Sequence, residues 1–146
     1  MKIVIQRSKE SSVVVNSEIV GKISHGMVVL LCFEKGDSEL LLEKAIHRTI
    51  NIRMFEDPQT GKMSQNISQV SGQILCISQF TLSWEGEKGH RPSFDNALEP
   101  AEAKRLYEIF CAKIRAQGIP VECGVFGAYM SVNIANDGPV TFYFKF

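Results

Sequence analysis

Cys32, Cys76, Cys111, Cys123, His25, His47 and His90 are the side chains of this sequence best suited to nucleophilic, acid–base or metal chemistry. Their spacing offers little of it. There is no C-x-x-C, and the histidines stand in three unlike settings: a strand end (His25), a helix (His47) and a loop (His90). A metal would need these scattered groups to converge, so none is expected. Cys32, Cys76 and Cys111 each lie among apolar residues, where burial keeps a thiol protonated and inert. Their irregular spacing also speaks against a disulfide framework. No nucleophile elbow, phosphate-binding loop or dinucleotide fingerprint occurs. What remains is Ser78-Gln79-Phe80-Thr81-Leu82, with two hydroxyls and an amide among apolar residues, and a loop carrying Lys88, His90 and Arg91. Thr81 is the obvious nucleophile by chemistry, but no base stands beside it in sequence, which makes it a positioning residue.

The elements that must hold these residues can be read from apolar spacing. Ile3-Val4-Ile5, Val13-Val14-Val15, Glu18 to Ser24 and Gly26 to Phe33 read as strands, the last apolar throughout as for a strand covered on both faces. Gly36-Asp37-Ser38-Glu39 opens a helix whose Leu42, Ala45, Ile46, Thr49 and Ile50 share one face. Phe55 to Gly61 is turn chemistry, and Gln73 to Leu82 reads as one strand. A long loop, Ser83 to Ala97, precedes a second helix from Pro100 with the stripe Ala103, Leu106, Tyr107, Phe110 and Ile114, which stops at Gly118. Three strands follow: Pro120 to Gly124, Met130 to Ile134 and Val140 to Phe146. The pattern is α+β, largely antiparallel, with two main helices, and with no linker or repeat it reads as a single domain over residues 1–146.

Composition narrows the partners. Sixteen Lys and Arg balance sixteen Asp and Glu, and 45% of the 146 residues are hydrophobic. A disordered chain needs the opposite balance. Zero net charge also argues against gripping a long nucleic acid by counterion release. The longest apolar run, Gly26 to Phe33, is far short of the roughly 20 residues of a spanning helix. The N-terminus turns polar at Gln6-Arg7, before a signal sequence could form, so the cytoplasm is the expected location and no membrane partner is expected.

Taken locally, Ser78 to Leu82 is an alternating strand end and Asn136-Asp137-Gly138-Pro139-Val140-Thr141 is a turn leading into a last strand. Together, starting 58 positions apart, they resemble the S-Q-x-T-L and N-x-G-P-x-T motifs of the D-aminoacyl-tRNA deacylase family. The likeness runs through Val4-Ile5-Gln6-Arg7, Glu34-Lys35-Gly36-Asp37, Asn51 to Asp57, Lys88 to Phe94 and Phe126-Gly127-Ala128. It implies a homodimer of curved, barrel-like sheets, with active sites at the subunit interface and no cofactor. The implied reaction is hydrolysis of the ester between a D-amino acid and the terminal ribose of tRNA. In that reading the main chain around Ser78, Gln79, Phe80 and Thr81 holds the ester, with the Phe80 amide as oxyanion donor. Gly138 and Pro139, joined by a cis bond, enter the partner's site as the chirality filter; Arg7 braces them, and Phe126 and Met130 lie near the pocket.

Two physical points fit this reading. D and L substrates carry identical groups, so a filter must clash with one hand, and glycine should pass it. An aminoacyl ester is already activated, so a protein that positions and polarises it needs no triad. Ser83-Trp84 and the aromatic end Phe142 to Phe146 depart from the family pattern, which bears on side-chain preference and tRNA contacts. Ser78 and Phe80 differ from the Pro-Gln-Ala-Thr type motif of an animal relative that edits L-alanine, and the resemblance therefore favours the D-specific branch. Two alternatives stand beside this reading: a non-catalytic nucleic-acid-binding α+β dimer, since a eukaryotic relative is DNA-associated, and a purely structural dimer.

Overall fold

The computed structural model describes residues 1–86 and 90–146. Lys88 and Gly89 of the basic loop lie outside that range. Four strands come first: β1 (Lys2–Ser8), β2 (Ser11–Val15), β3 (Glu18–Ile23) and β4 (Gly26–Cys32). After α1 (Glu39–Asn51) come a short hairpin of β5 (Phe55–Glu56) and β6 (Met63–Gln65), and then β7 (Gln73–Ser78). Next are α2 (Pro100–Arg115), β8 (Val121–Cys123), β9 (Ser131–Asn133) and β10 (Asn136–Lys145). Among the described residues no helix is long and apolar enough to cross a membrane.

The strands form a five-stranded sheet in the order β10-β1-β4-β7-β8, a three-stranded sheet β3-β2-β9, and the β5-β6 hairpin. The fold is α+β with two helices, but the large sheet is mixed. β10, β1 and β4 pair antiparallel, whereas β4-β7 and β7-β8 are parallel. Five of the seven ladders among the described residues are antiparallel, as the sequence pattern leads one to expect, and these two are the exceptions. Each joins strands separated in sequence by a helix, and parallel neighbours require such a crossover.

Apolar alternation explains the layers. Met27, Val29 and Leu31 of β4, with Ile74 and Cys76 of β7, join the core under the helices. Their alternates Val28, Leu75 and Ile77 pack with Val13 and Ile23 of the small sheet. Central strands covered on both faces are thus apolar along both faces, from Met27 to Cys32 in β4 and from Ile74 to Ile77 in β7. Leu42, Ala45, Ile46, Thr49 and Ile50 of α1 and Ala103, Leu106, Tyr107, Phe110 and Ile114 of α2 are buried as their spacing predicts. Ser38 begins α1 without a side-chain cap. The Asp37 carboxylate instead accepts from the Glu34 amide at 2.7 Å, closing the turn before the helix.

Two local readings change. β7 ends at Ser78, and Phe80–Ser83 form a 3-10 turn instead of continuing the strand to Leu82. β4 ends at Cys32, so after Gln79 N donates to Leu31 O at 2.8 Å the chain has no ladder left to follow. The last strand begins at Asn136, not Val140. Ser8 pairs with Asn136 and Gln6 with Thr141, so Arg7 alone faces the segment Asp137 to Val140. The Asn-Asp-Gly-Pro stretch is therefore an outsized bulge within a strand, not a connection between two.

Candidate active site

Strands β4 and β7 run parallel and stop side by side at Cys32 and Ser78. The carboxyl ends of parallel strands are where open α/β sheets hold their ligands. Here a cavity of about 620 Å³ opens between those ends, the 3-10 turn, the start of α2 and the segment from Phe126 to Val132. Ser78, Gln79, Phe80, Phe126 and Met130 all lie on its wall. Tyr107 reaches from α2 to hold this end of β7, its hydroxyl donating to the Cys76 carbonyl at 2.7 Å, and its ring packs 5.9 Å from that of Phe126.

The turn after β7 presents main-chain donors. Leu82 N donates to Gln79 O at 3.2 Å and Trp84 N to Thr81 O at 3.2 Å. Between them the amides of Phe80 and Thr81 carry no hydrogen bond among the described residues, as expected for the opening of a helical turn. Thr81 does not reach the cavity wall; its Oγ1 lies 2.5 Å from Gln79 Nε2, which donates to it and fixes the amide side chain. The Phe80 ring, 59% exposed, meets Phe94 edge-on at 5.0 Å.

Arg7, Gly138 and Pro139 form a separate cluster, off the wall of this cavity. Buried Arg7 donates from Nε to the Asp137 carbonyl at 3.1 Å, with the Asp137 carboxylate also at 3.1 Å, and from Nη1 to Met54 O at 2.8 Å. The Gly138–Pro139 peptide is cis. Gly138 has φ +121°, and a Cβ placed there would stand 2.8 Å from Val140 Cγ2 and 3.0 Å from Arg7 Nη2. Only glycine fits that backbone and that space.

The family profile of D-Tyr-tRNA(Tyr) deacylase matches residues 4–145. The chain belongs to that family. A D-aminoacyl-tRNA deacylase of Shewanella amazonensis is 48% identical over 141 residues, 97% of each chain. One of Aquifex aeolicus is also 48% identical over 141 residues, 97% of this chain and 95% of its own. Among solved structures, the c-Myc DNA Unwinding Element Binding Protein superposes with a TM-score of 0.94 at 37% identity, covering 99% of this chain and 98% of that one. A probable eukaryotic D-amino acid tRNA deacylase shares the fold, with a TM-score of 0.82 at 19% identity over 98% and 97% of the chains. Membership makes this deacylase an enzyme of the ester-hydrolysing class.

Cys32, which the sequence left as an ordinary buried thiol, lies on this deacylase's cavity wall. Burial, with the nearby Glu34 charge, pushes its thiol up to about 11. Its Sγ lies 3.5 Å from the Phe80 carbonyl. A thiol held protonated at neutral pH is a poor nucleophile. Among the described wall residues no His, Lys or Arg stands ready to activate Ser78. No three His, Cys, Asp or Glu side chains among the described residues are grouped to hold a metal.

Sequence spacing could not assemble the rest of the wall. Leu31 and Cys32 come from β4, Phe94 and Leu98 from the loop before α2, and Tyr129 from the loop before β9. Tyr129 had one readable signal, an aromatic directly after Gly127-Ala128; it is 97% exposed at the cavity.

Proposed function

We propose that this deacylase hydrolyses the ester linking a D-amino acid or glycine to the 3′-terminal ribose of tRNA, releasing free amino acid and tRNA in the cytoplasm. One observation carries the reading: Phe80, whose amide is unpaired among the described residues, lines the cavity beside Ser78 and Gln79, while the wall's one carboxylate among the described residues, Glu99, accepts from the Ala101 amide at 3.0 Å and caps α2. Water adds to the ester carbon, and the negative charge gathering on the carbonyl oxygen is held by the Phe80 amide. The tetrahedral species expels the ribose oxygen, which takes up a proton, and the neighbouring ribose hydroxyl assists. Fixed donors aimed at a developing oxyanion are worth several kcal/mol, on the order of 2.7–4 for one donor in a known case. An activated ester needs little more.

Chirality is assigned to Gly138 and Pro139. They lie off the wall of their own protomer's cavity and ride on a bulge that Arg7 braces. That arrangement supports a homodimer in which the bulge of one subunit enters the cavity of its partner and closes the site against L side chains. Rejection by collision has a consequence, because glycine has nothing to collide. tRNA charged with D-alanine or glycine should be deacylated, and tRNA charged with L-alanine should not. A site that cleaves the D-alanyl ester but leaves the glycyl ester intact does not work by exclusion.

The likeness to a DNA unwinding element binding protein favours a second reading, a nucleic-acid-binding dimer without catalysis. Zero net charge weighs against it. Duplex or unpaired DNA bound tightly at physiological salt, with no ester cleaved, would favour that reading instead.

A further inference from the structure

Gly124 follows β8, and its amide donates to the Cys76 carbonyl at 3.1 Å, so its backbone is fixed beside the last turn of β7. Its φ lies outside the left-handed region, so the conformation itself does not demand glycine. The space does. A Cβ on Gly124 would stand 2.6 Å from Met130 Sδ and 3.1 Å from Ile77 Cδ1, and both of those side chains line the cavity. Behind Met130 is the closed core of Val13, Ile23, Val28, Leu75 and Ile77, all at most 1% exposed. A side chain pushed off Gly124 finds dense packing on one side and open volume on the other. Cores resist such intrusion, whereas methionine bends readily.

We propose that Gly124 fixes how large an acyl group the cavity accepts, because its missing side chain is the space that the Met130 thioether occupies. The inference rests on the deacylase reading above and adds to it a specificity position that touches no substrate atom. Gly124→Ala forces the thioether into the cavity and shortens it for bulky D side chains, while a glycyl ester needs none of that depth. Pocket differences of a methylene or so shift discrimination by about 10–200-fold.

The test compares wild type, Gly124→Ala and Gly124→Ala/Met130→Ala on D-tyrosyl-tRNA and glycyl-tRNA. The expected result is a fall in kcat/KM for the D-tyrosyl ester about tenfold or more beyond any fall for the glycyl ester. Truncating Met130 in the same chain should reverse most of that difference. Equal losses on both esters, or no reversal, would overturn the proposal. The isotope-labelled methyl of Met130, one of five methionines, supplies a readout that needs no activity. Its NMR signal should move in Gly124→Ala while those of Met1 and Met63 stay; an unmoved Met130 signal also overturns the proposal. If wild type cleaves neither ester, the deacylase reading falls while this signal still decides whether Gly124 places Met130. If Gly124→Ala does not fold, Met130→Ala alone should raise the preference for D-tyrosyl over glycyl esters, and an unchanged preference would count against the idea.

Discussion

At Phe80 the proposed mechanism uses the amide, not the ring. The side chain leans on Phe94, and the amide belongs to the backbone, so substitution can alter the pocket without removing the donor. Thr81 permits a sharper test, since its hydroxyl is tied to Gln79 away from the wall. Thr81→Ala should lower single-turnover kcat by less than about tenfold, whereas loss of a true nucleophile costs several orders of magnitude. Cys32 carries a pH prediction. Its unfolded thiol ionises near 9 while the folded one stays protonated to about 11. Across that window the native state holds the extra proton, so stability falls as pH rises from 9 towards 11. Urea midpoints measured at pH 8, 9 and 10 should show this decline, and Cys32→Ser should make it shallower. The motif residues were legible because their order resembles a family. Cys32 was not, because nothing in its own segment says that β4 ends opposite Ser78.

Among the elements, helices were the most readable, since both buried stripes repeat at helical spacing. The 3-10 turn was hidden by Ser78, Phe80 and Leu82, which alternate as a strand would; what stops the strand is the end of its partner, a fact of another segment. The parallel ladders were missed for a similar reason: pairing direction belongs to two strands together. Asn-Asp-Gly-Pro has turn chemistry but forms a bulge inserted into β10 opposite Arg7. This bulge carries the next prediction. Arg7→Ala removes hydrogen bonds to Asp137 and to the Met54 carbonyl, leaving a buried carbonyl without its donor. Thermal unfolding should report a loss of about 1.5–3 kcal/mol, the range for hydrogen bonds to charged groups. Discrimination between D and L esters should weaken in the fraction that stays folded. A stable Arg7→Ala protein with full discrimination would remove the bracing role.

For the whole molecule, sixteen charges of each sign argue against a clamp on a long duplex but leave room for brief contact with a charged tRNA end. An editing enzyme must let its product go. In the proposed function the cavity wall, built at the carboxyl ends of β4 and β7, and the Arg7-braced bulge act as two halves of one device that meet only between two subunits. The central claim is that this device sorts by hand. It is tested most directly by charging one tRNA with D-tyrosine and with L-tyrosine and following release of each amino acid at equal enzyme. Rapid loss of the D-ester with the L-ester decaying no faster than without enzyme is the predicted result; equal release of both, or release of neither, contradicts it.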